Sequence, residues 1–275
     1  MALLLGTDIS EKITELIRGK VVRVGGAVNE LNIYDRCRIS QVDDINLLEA
    51  AFGVLSLRSA KDARKIYKFF KKFVRQEILW FFKRNAIPRD RKTIILDAHY
   101  AHTREEMKGR YDCAISSNVI EHSPNPIFLL LNLYFLVRKG GYQYHVLPHY
   151  RYTYDVYRKP SSLDHLIEDF ERNTDETDTS HNEDYIQSAI EKQGYMREFY
   201  KTHPVSHPYI HYHVFDEHNV RELFEMMFVY VTVDVLKDDR YAGAVVLFKN
   251  ELNSVFVERF RSVIGRYSEK FLEET

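Results

Sequence analysis

Apolar positions along the chain fall into blocks of two kinds. One kind repeats at helical spacing. Over residues 8–18, Ile9, Ile13, Leu16 and Ile17 follow a possible cap at Asp8, with Glu11 at the capping-box position and Gly19 as a stop. Over residues 60–84, Ile66, Phe70, Phe73 and Leu79 fall near one side and Lys61, Lys65, Lys68, Lys72 and Arg75 elsewhere, until Pro88 ends the pattern. Two further helices are predicted from Pro126 through Val137, stopped by Gly140-Gly141, and from Glu217 to Met227. The other kind is a short apolar run without alternation: Val21 to Val24, Ile39 to Val42, Thr93 to Leu96, Asp112 to Ser116, Tyr142 to Leu147, Phe228 to Leu236 and Ala242 to Lys249. Such strands, separated by helices, predict a mainly parallel sheet covered on both faces. The last two, joined across Lys237-Asp238-Asp239-Arg240, predict an antiparallel hairpin. The expectation is a single α/β domain over residues 1–275, doubly wound, with a seven-stranded, mostly parallel sheet and a reversed C-terminal hairpin. Residues 150–215, rich in Tyr, His, Asp and Glu, interrupt the rhythm as an insertion before that hairpin.

Composition narrows the class. A hydrophobic share of 45% in 275 residues is enough to bury a core, and 11 Gly, 7 Pro and 2 Cys exclude collagen-like, disordered and disulfide-scaffold chains. No run reaches the roughly 20 apolar residues of a membrane span, and Met1-Ala2-Leu3-Leu4-Leu5 lacks the basic lead of a signal segment. Cys37 and Cys113 make no framework, and Cys113 in a strand-like run reads as a reduced, buried thiol, so a cytoplasmic protein is expected. Charges nearly cancel overall but not locally. Arg58 to Lys92 carries thirteen basic residues against three acidic, and Glu168 to Glu191 nine acidic against one basic. The aromatics of the basic helix suit burial rather than base stacking, so no nucleic-acid partner is expected. A solvated face or a contact within a homo-oligomer fits better.

Open α/β sheets bind ligands at the carboxyl ends of their strands, where strand order reverses. That rule selects Gly25-Gly26 after the first strand, Asp43 after the second, Asp97-Ala98 after the third and Ser117-Asn118 after the fourth. A Gly pair permits a tight turn against a ligand, and a carboxylate after strand two is placed for ribose hydroxyls. Each acid is equally at home as a helix or turn cap. Gly25-Gly26-Ala27-Val28-Asn29-Glu30 is not a G-x-G-x-x-G loop and no P-loop occurs, so a nucleoside-type ligand without a phosphate cradle is indicated.

From Asp97-Ala98 through Tyr111-Asp112-Cys113-Ala114-Ile115-Ser116-Ser117-Asn118-Val119-Ile120-Glu121-His122, Pro126, Leu136-Val137-Arg138-Lys139-Gly140-Gly141 and Val146-Leu147-Pro148-His149, the chain resembles class I S-adenosylmethionine-dependent methyltransferases. The similarity is strongest to the small-molecule group associated with bacterial surface-polysaccharide synthesis. The resemblance implies a Rossmann-like fold with S-adenosyl-L-methionine as cofactor. Gly25 and Gly26 would approach its amino-acid part, Asp43 its ribose, Asp97 and Ala98 its adenine, and Ser117, Asn118 and His122 the region beside the sulfonium. It also implies a small-molecule acceptor, a sugar or sugar nucleotide methylated on oxygen, held by residues 150–215 as lid and pocket. His149, Asp155, Arg158 and His165 are the candidates for catalysis there, since a histidine beside a carboxylate can remove a hydroxyl proton. Arg23 stands where the family usually carries an acid. This keeps open a second reading, a non-catalytic protein of the same fold that serves as a binding or assembly partner. His203, His207, His211, His213 and His218 cluster in sequence, but with no recognised ligand spacing they predict no metal site.

Overall fold

The computed structural model describes residues 15–24, 39–45, 91–94, 98–192, 194, 210–237 and 242–272. The basic helix expected over residues 60–84, most of the helix expected over 8–18, and Gly25, Gly26 and Asp97 lie outside them. Seven strands form one sheet in the order β3-β2-β1-β4-β5-β7-β6. They are β1 (Gly19–Val24), β2 (Ile39–Ile45), β3 (Arg91–Ile94), β4 (Tyr111–Ser117), β5 (Val137–Pro148), β6 (Thr232–Lys237) and β7 (Ala242–Lys249). β1 to β5 pair in parallel, while β7 runs antiparallel to both β5 and β6. Strand order reverses between β1 and β4, so the crevice of a doubly wound sheet opens at the carboxyl ends of those strands.

Register explains why the strands read as continuous apolar runs. Val22, Ala114 and Phe248 lie on one face of the sheet, within the main core. Val21, Cys113, Ile115, Tyr144 and Leu247 alternate with them onto the other face and are equally buried. A strand covered on both sides has no polar side to show.

Helix α1 (Pro126–Leu136) begins with Pro in its first turn and Asn125 as cap, whose side chain accepts from Phe128 N–H at 3.0 Å. Every residue of α1 is buried, so it is a core helix with no wet face. It does not run on to Gly140-Gly141 as expected. It stops at Leu136, Val137 opens β5 directly, and the glycines lie within that strand, where its register against β4 shifts between Tyr111 and Cys113. Gly141 is required there, because a Cβ would stand 2.4 Å from Asp112 O.

The insertion holds helix α2 (Leu163–Arg172), capped by Ser162 and ended by Asn173 in the left-handed region at φ 57°. After it come the short α3 (Asn182–Tyr185) and a π-helical turn (Ile186–Lys192). The insertion's ends meet beside the end of β5. Tyr150 N–H donates to Phe215 O at 2.9 Å and Ser161 N–H to Val214 O at 2.9 Å. Helix α4 (Glu217–Met227) carries a capping box from Asp216 to Asn219 and buries Leu223 and Phe224 against the hairpin, with Phe248 5.3 Å from Phe224. Helix α5 (Ser254–Tyr267) follows β7. Among the described residues no helix is long and apolar enough to cross a membrane.

Candidate active site

β4 ends at Ser117, which is buried, and the chain turns at Asn118 with φ 51°, a left-handed conformation that Asn tolerates better than most side chains. Asn118 N–H donates to Val146 O at 3.0 Å, tying the turn to β5. Beyond this turn lies a cavity of about 370 Å³ at the carboxyl ends of β4 and β5. Asn118, Glu121, His122, Tyr152, Thr153 and His211 contribute to its lining.

One wall is a chain of oriented polar groups. Arg158 donates to Asp155 Oδ1 at 2.8 Å and to the carbonyls of His211 and Tyr212 at 2.8 and 3.0 Å. Thr153 Oγ1 donates to Asp155 Oδ2 at 3.1 Å, and the same oxygen lies 2.5 Å from His211 Nδ1. With Nδ1–H turned to the carboxylate, proton transfer at His211 falls to Nε2. Burial works against a charged His211 ring, but the Asp155 hydrogen bond and charge, with Glu121 behind them, outweigh it and lift its pKa above the ordinary 6.5. Burial likewise opposes the Asp155 carboxylate, while His211 and Arg158 hold its pKa below the usual range. The ring of His122 meets that of His211 edge-on at 4.7 Å, and its Nδ1 lies 2.8 Å from the carbonyl of Ile210.

Of the residues read from the sequence, Asn118, His122, Asp155, Arg158 and Ser117 belong to this cavity or its supporting wall. Ala98 is buried in the core at the start of a 3-10 turn. Asp43 stands within β2 rather than after it, fully buried, with Gln41 Nε2 donating to Oδ1 at 2.8 Å and Tyr111 Oη to Oδ2 at 3.0 Å. Burial, together with Asp43, pushes the Tyr111 phenol upward. A ribose at Asp43 would have to reach a carboxylate that is fully buried and already accepts two protein donors. His149 is held on both sides, with Nδ1 accepting from Arg151 N–H at 3.3 Å and Nε2 3.0 Å from Glu217 Oε2. His165 belongs to a separate group on α2, described below. Neither lines the cavity. The sequence reading passed over His211 as a base because its carboxylate lies 56 residues away, with no local spacing to mark the pair. His211 and His213, neighbours in the sequence cluster of histidines, serve different side-chain groups in a segment that is not a strand.

A family model described as a methyltransferase domain matches residues 59–227, more than half of the chain. The chain therefore belongs to that methyltransferase-domain family, and the membership indicates S-adenosylmethionine as the methyl donor. No curated protein matches the sequence. Similar solved structures include the CurJ carbon methyltransferase (12% identity, 85% of this chain and 49% of that one, TM-score 0.40). A trans-methyltransferase CalH complex with SAH matches at 11%, 83% and 50%, TM-score 0.41. TehB from Haemophilus influenzae matches at 13%, 89% and 62%, TM-score 0.40. The chain spans about half the length of the first two. Likenesses this distant say nothing about the substrate.

Proposed function

We propose that the protein transfers the methyl group of S-adenosylmethionine to a hydroxyl of a small acceptor, a sugar or sugar nucleotide. The observation that carries this reading is the His211–Asp155 pair, 2.5 Å apart on the wall of the cavity where β4 and β5 end. The described half of the cofactor site suits such a ligand in its donor set. Asn118 is turned out of the sheet, with Ser117 and His122 beside it. Gly25, Gly26 and Asp97 are proposed for the remainder. Asp43 fits less well, because it is fully buried within β2 and already accepts from Gln41 and Tyr111.

When bound, the cofactor supplies an electrophilic methyl group. What the chain supplies is position and a proton acceptor. Arg158 fixes Asp155, Asp155 fixes the tautomer of His211, and His211 Nε2 takes the hydroxyl proton as the oxygen becomes nucleophilic. Alignment of the two reactants in the cavity carries much of the rate. Tyr152 and Tyr154, about two-fifths exposed at the cavity, offer apolar faces with polar tips, which suits a sugar ring.

The reading is tested by incubating the protein with S-adenosylmethionine and a panel of sugars and sugar nucleotides while following S-adenosylhomocysteine release. Acceptor-dependent release that His211→Ala lowers about 10²-fold or more supports it. Release unaffected by His211→Ala removes the base assignment. A second reading, a non-catalytic protein of this fold, draws on one observation. Arg23, near the end of β1 and two residues before Gly25, is buried rather than turned to solvent. A cation there disfavours a cationic ligand group, and failure of the protein to bind the cofactor would favour this reading.

A further inference from the structure

A second cluster lies inside the insertion, away from the cavity. His165 and Asp169 share one side of α2 at i and i+4, His181 precedes α3, and His213 comes from the returning segment. Four atoms converge: the Nε2 of each histidine and Oδ2 of Asp169. His213 Nε2 lies 2.9 Å from Asp169 Oδ2, His165 Nε2 lies 3.0 Å from His181 Nε2, and both of these nitrogens lie 3.5 Å from Asp169 Oδ2. All four atoms are within 4.8 Å of one another. Ligands bound at 2.0–2.1 Å in a tetrahedron stand about 3.3 Å apart, so these spacings bracket the edges of a zinc-type site.

The hydrogen bonding points the same way. His213, completely buried, faces acceptors at both nitrogens, Ser123 O at 3.0 Å from Nδ1 and Asp169 Oδ2 from Nε2. His165 and His181 bring two nitrogens face to face. A cation at the centre meets all three rings at once: each Nε2 presents a lone pair to it, and His213 keeps its single proton on Nδ1 for Ser123 O. The outer contacts suit ligands held for a metal. His213 Nδ1–H donates to a backbone carbonyl, His181 Nδ1 lies 3.5 Å from Asp178 Oδ1, and Asp169 Oδ1 accepts from Thr174 Oγ1 at 2.9 Å, leaving Oδ2 for the centre.

We propose that His165, Asp169, His181 and His213 form a tetrahedral site for a divalent first-row cation of the zinc class. Four protein ligands close such a site, which makes its role structural. It staples α2, the start of α3 and the returning segment together, two residues from His211, and so fixes the wall that carries the proposed base. Binding displaces any protons held on the three Nε2 atoms. The site needs no cofactor and no catalysis, so it stands or falls apart from the proposed function.

The test is metal analysis of untagged full-length protein, followed by zinc and cobalt(II) titration of the chelator-stripped form. About one ion per chain is expected, and the cobalt(II) form should show the intense visible band of tetrahedral coordination. His165→Gln, at the least buried ligand, should weaken binding more than about tenfold, while His122→Asn should leave it unchanged. If His165→Gln does not fold, the cobalt spectrum of the unaltered protein still decides. No binding by the stripped protein would mean that protons alone fill the cluster and would overturn the proposal. So would a weak octahedral spectrum, or binding lost with His122→Asn but kept with His165→Gln.

Discussion

Two carboxylates, Asp43 within β2 and Asp155 in the turn after Tyr150–Tyr152, have opposite fates. Asp155 is oriented toward a histidine on the cavity wall, whereas Asp43 is spent inside the sheet on Tyr111 and Gln41. Tyr111→Phe should therefore lower stability by about 1–3 kcal/mol in denaturant titration, because it strips a donor from a buried carboxylate. Affinity for S-adenosylmethionine should stay within a few-fold. A large loss of affinity with unchanged stability would return Asp43 to the ligand. Asp155→Asn removes the charge that raises the His211 pKa. The ascending limb of the pH–rate profile, set by loss of the ring proton, should shift to lower pH, and the maximal rate should fall as the tautomer is lost. A limb that stays in place would show that another group titrates.

At the scale of elements, the amphipathic and apolar periods carried α1, α4 and the strands, because burial of β1, β4 and β5 on both faces leaves a plain apolar signature. What they missed has physical causes. The stop of α1 was misplaced because Gly140-Gly141 signals a backbone need, and that need is the irregularity of β5 against Asp112 rather than a helix cap. Gly141→Ala should accordingly cost more than about 2 kcal/mol, well beyond a helix-end effect, as thermal unfolding would show. A change below about 0.5 kcal/mol would contradict the close approach. Helix α2 is marked in the sequence by its Ser162 cap and by Leu166, Ile167 and Phe170 at helical spacing, and it went unread among the polar residues around it; its buried side also carries Asp169, which clusters with histidines from distant segments. For the same reason only part of the candidate site was legible. Asn118 and His122 sit in a recognisable stretch, while the pairing of His211 with Asp155 exists only once the insertion has folded back.

At the scale of the molecule, a polar string runs through the sheet from Ser116 to His145, Gln143 and Asn250. His145 Nε2 lies 3.0 Å from Gln143 Oε1 and Nδ1 2.8 Å from Ser116 Oγ, neutral partners that do not offset a charge on the buried ring. Burial lowers its pKa to about 3 from the ordinary 6.5. The unfolded chain then takes up a proton that the folded one refuses. The stability this residue contributes is complete above pH 6.5 and is lost as pH falls from there toward 3. Denaturant midpoints should decline across that range, and the decline should be shallower in a His145→Gln variant. Equal slopes would place the sensitivity elsewhere.

The assignment of this family member as a methyltransferase turns on whether the proposed half-site at the end of β4, together with Gly25 and Gly26, holds the cofactor despite Arg23. Calorimetric titration of the purified chain with S-adenosylmethionine and S-adenosylhomocysteine measures this directly. Micromolar binding of both, about −8 kcal/mol, is the predicted result. Folded, cofactor-free protein that gives no heat up to millimolar ligand would contradict it.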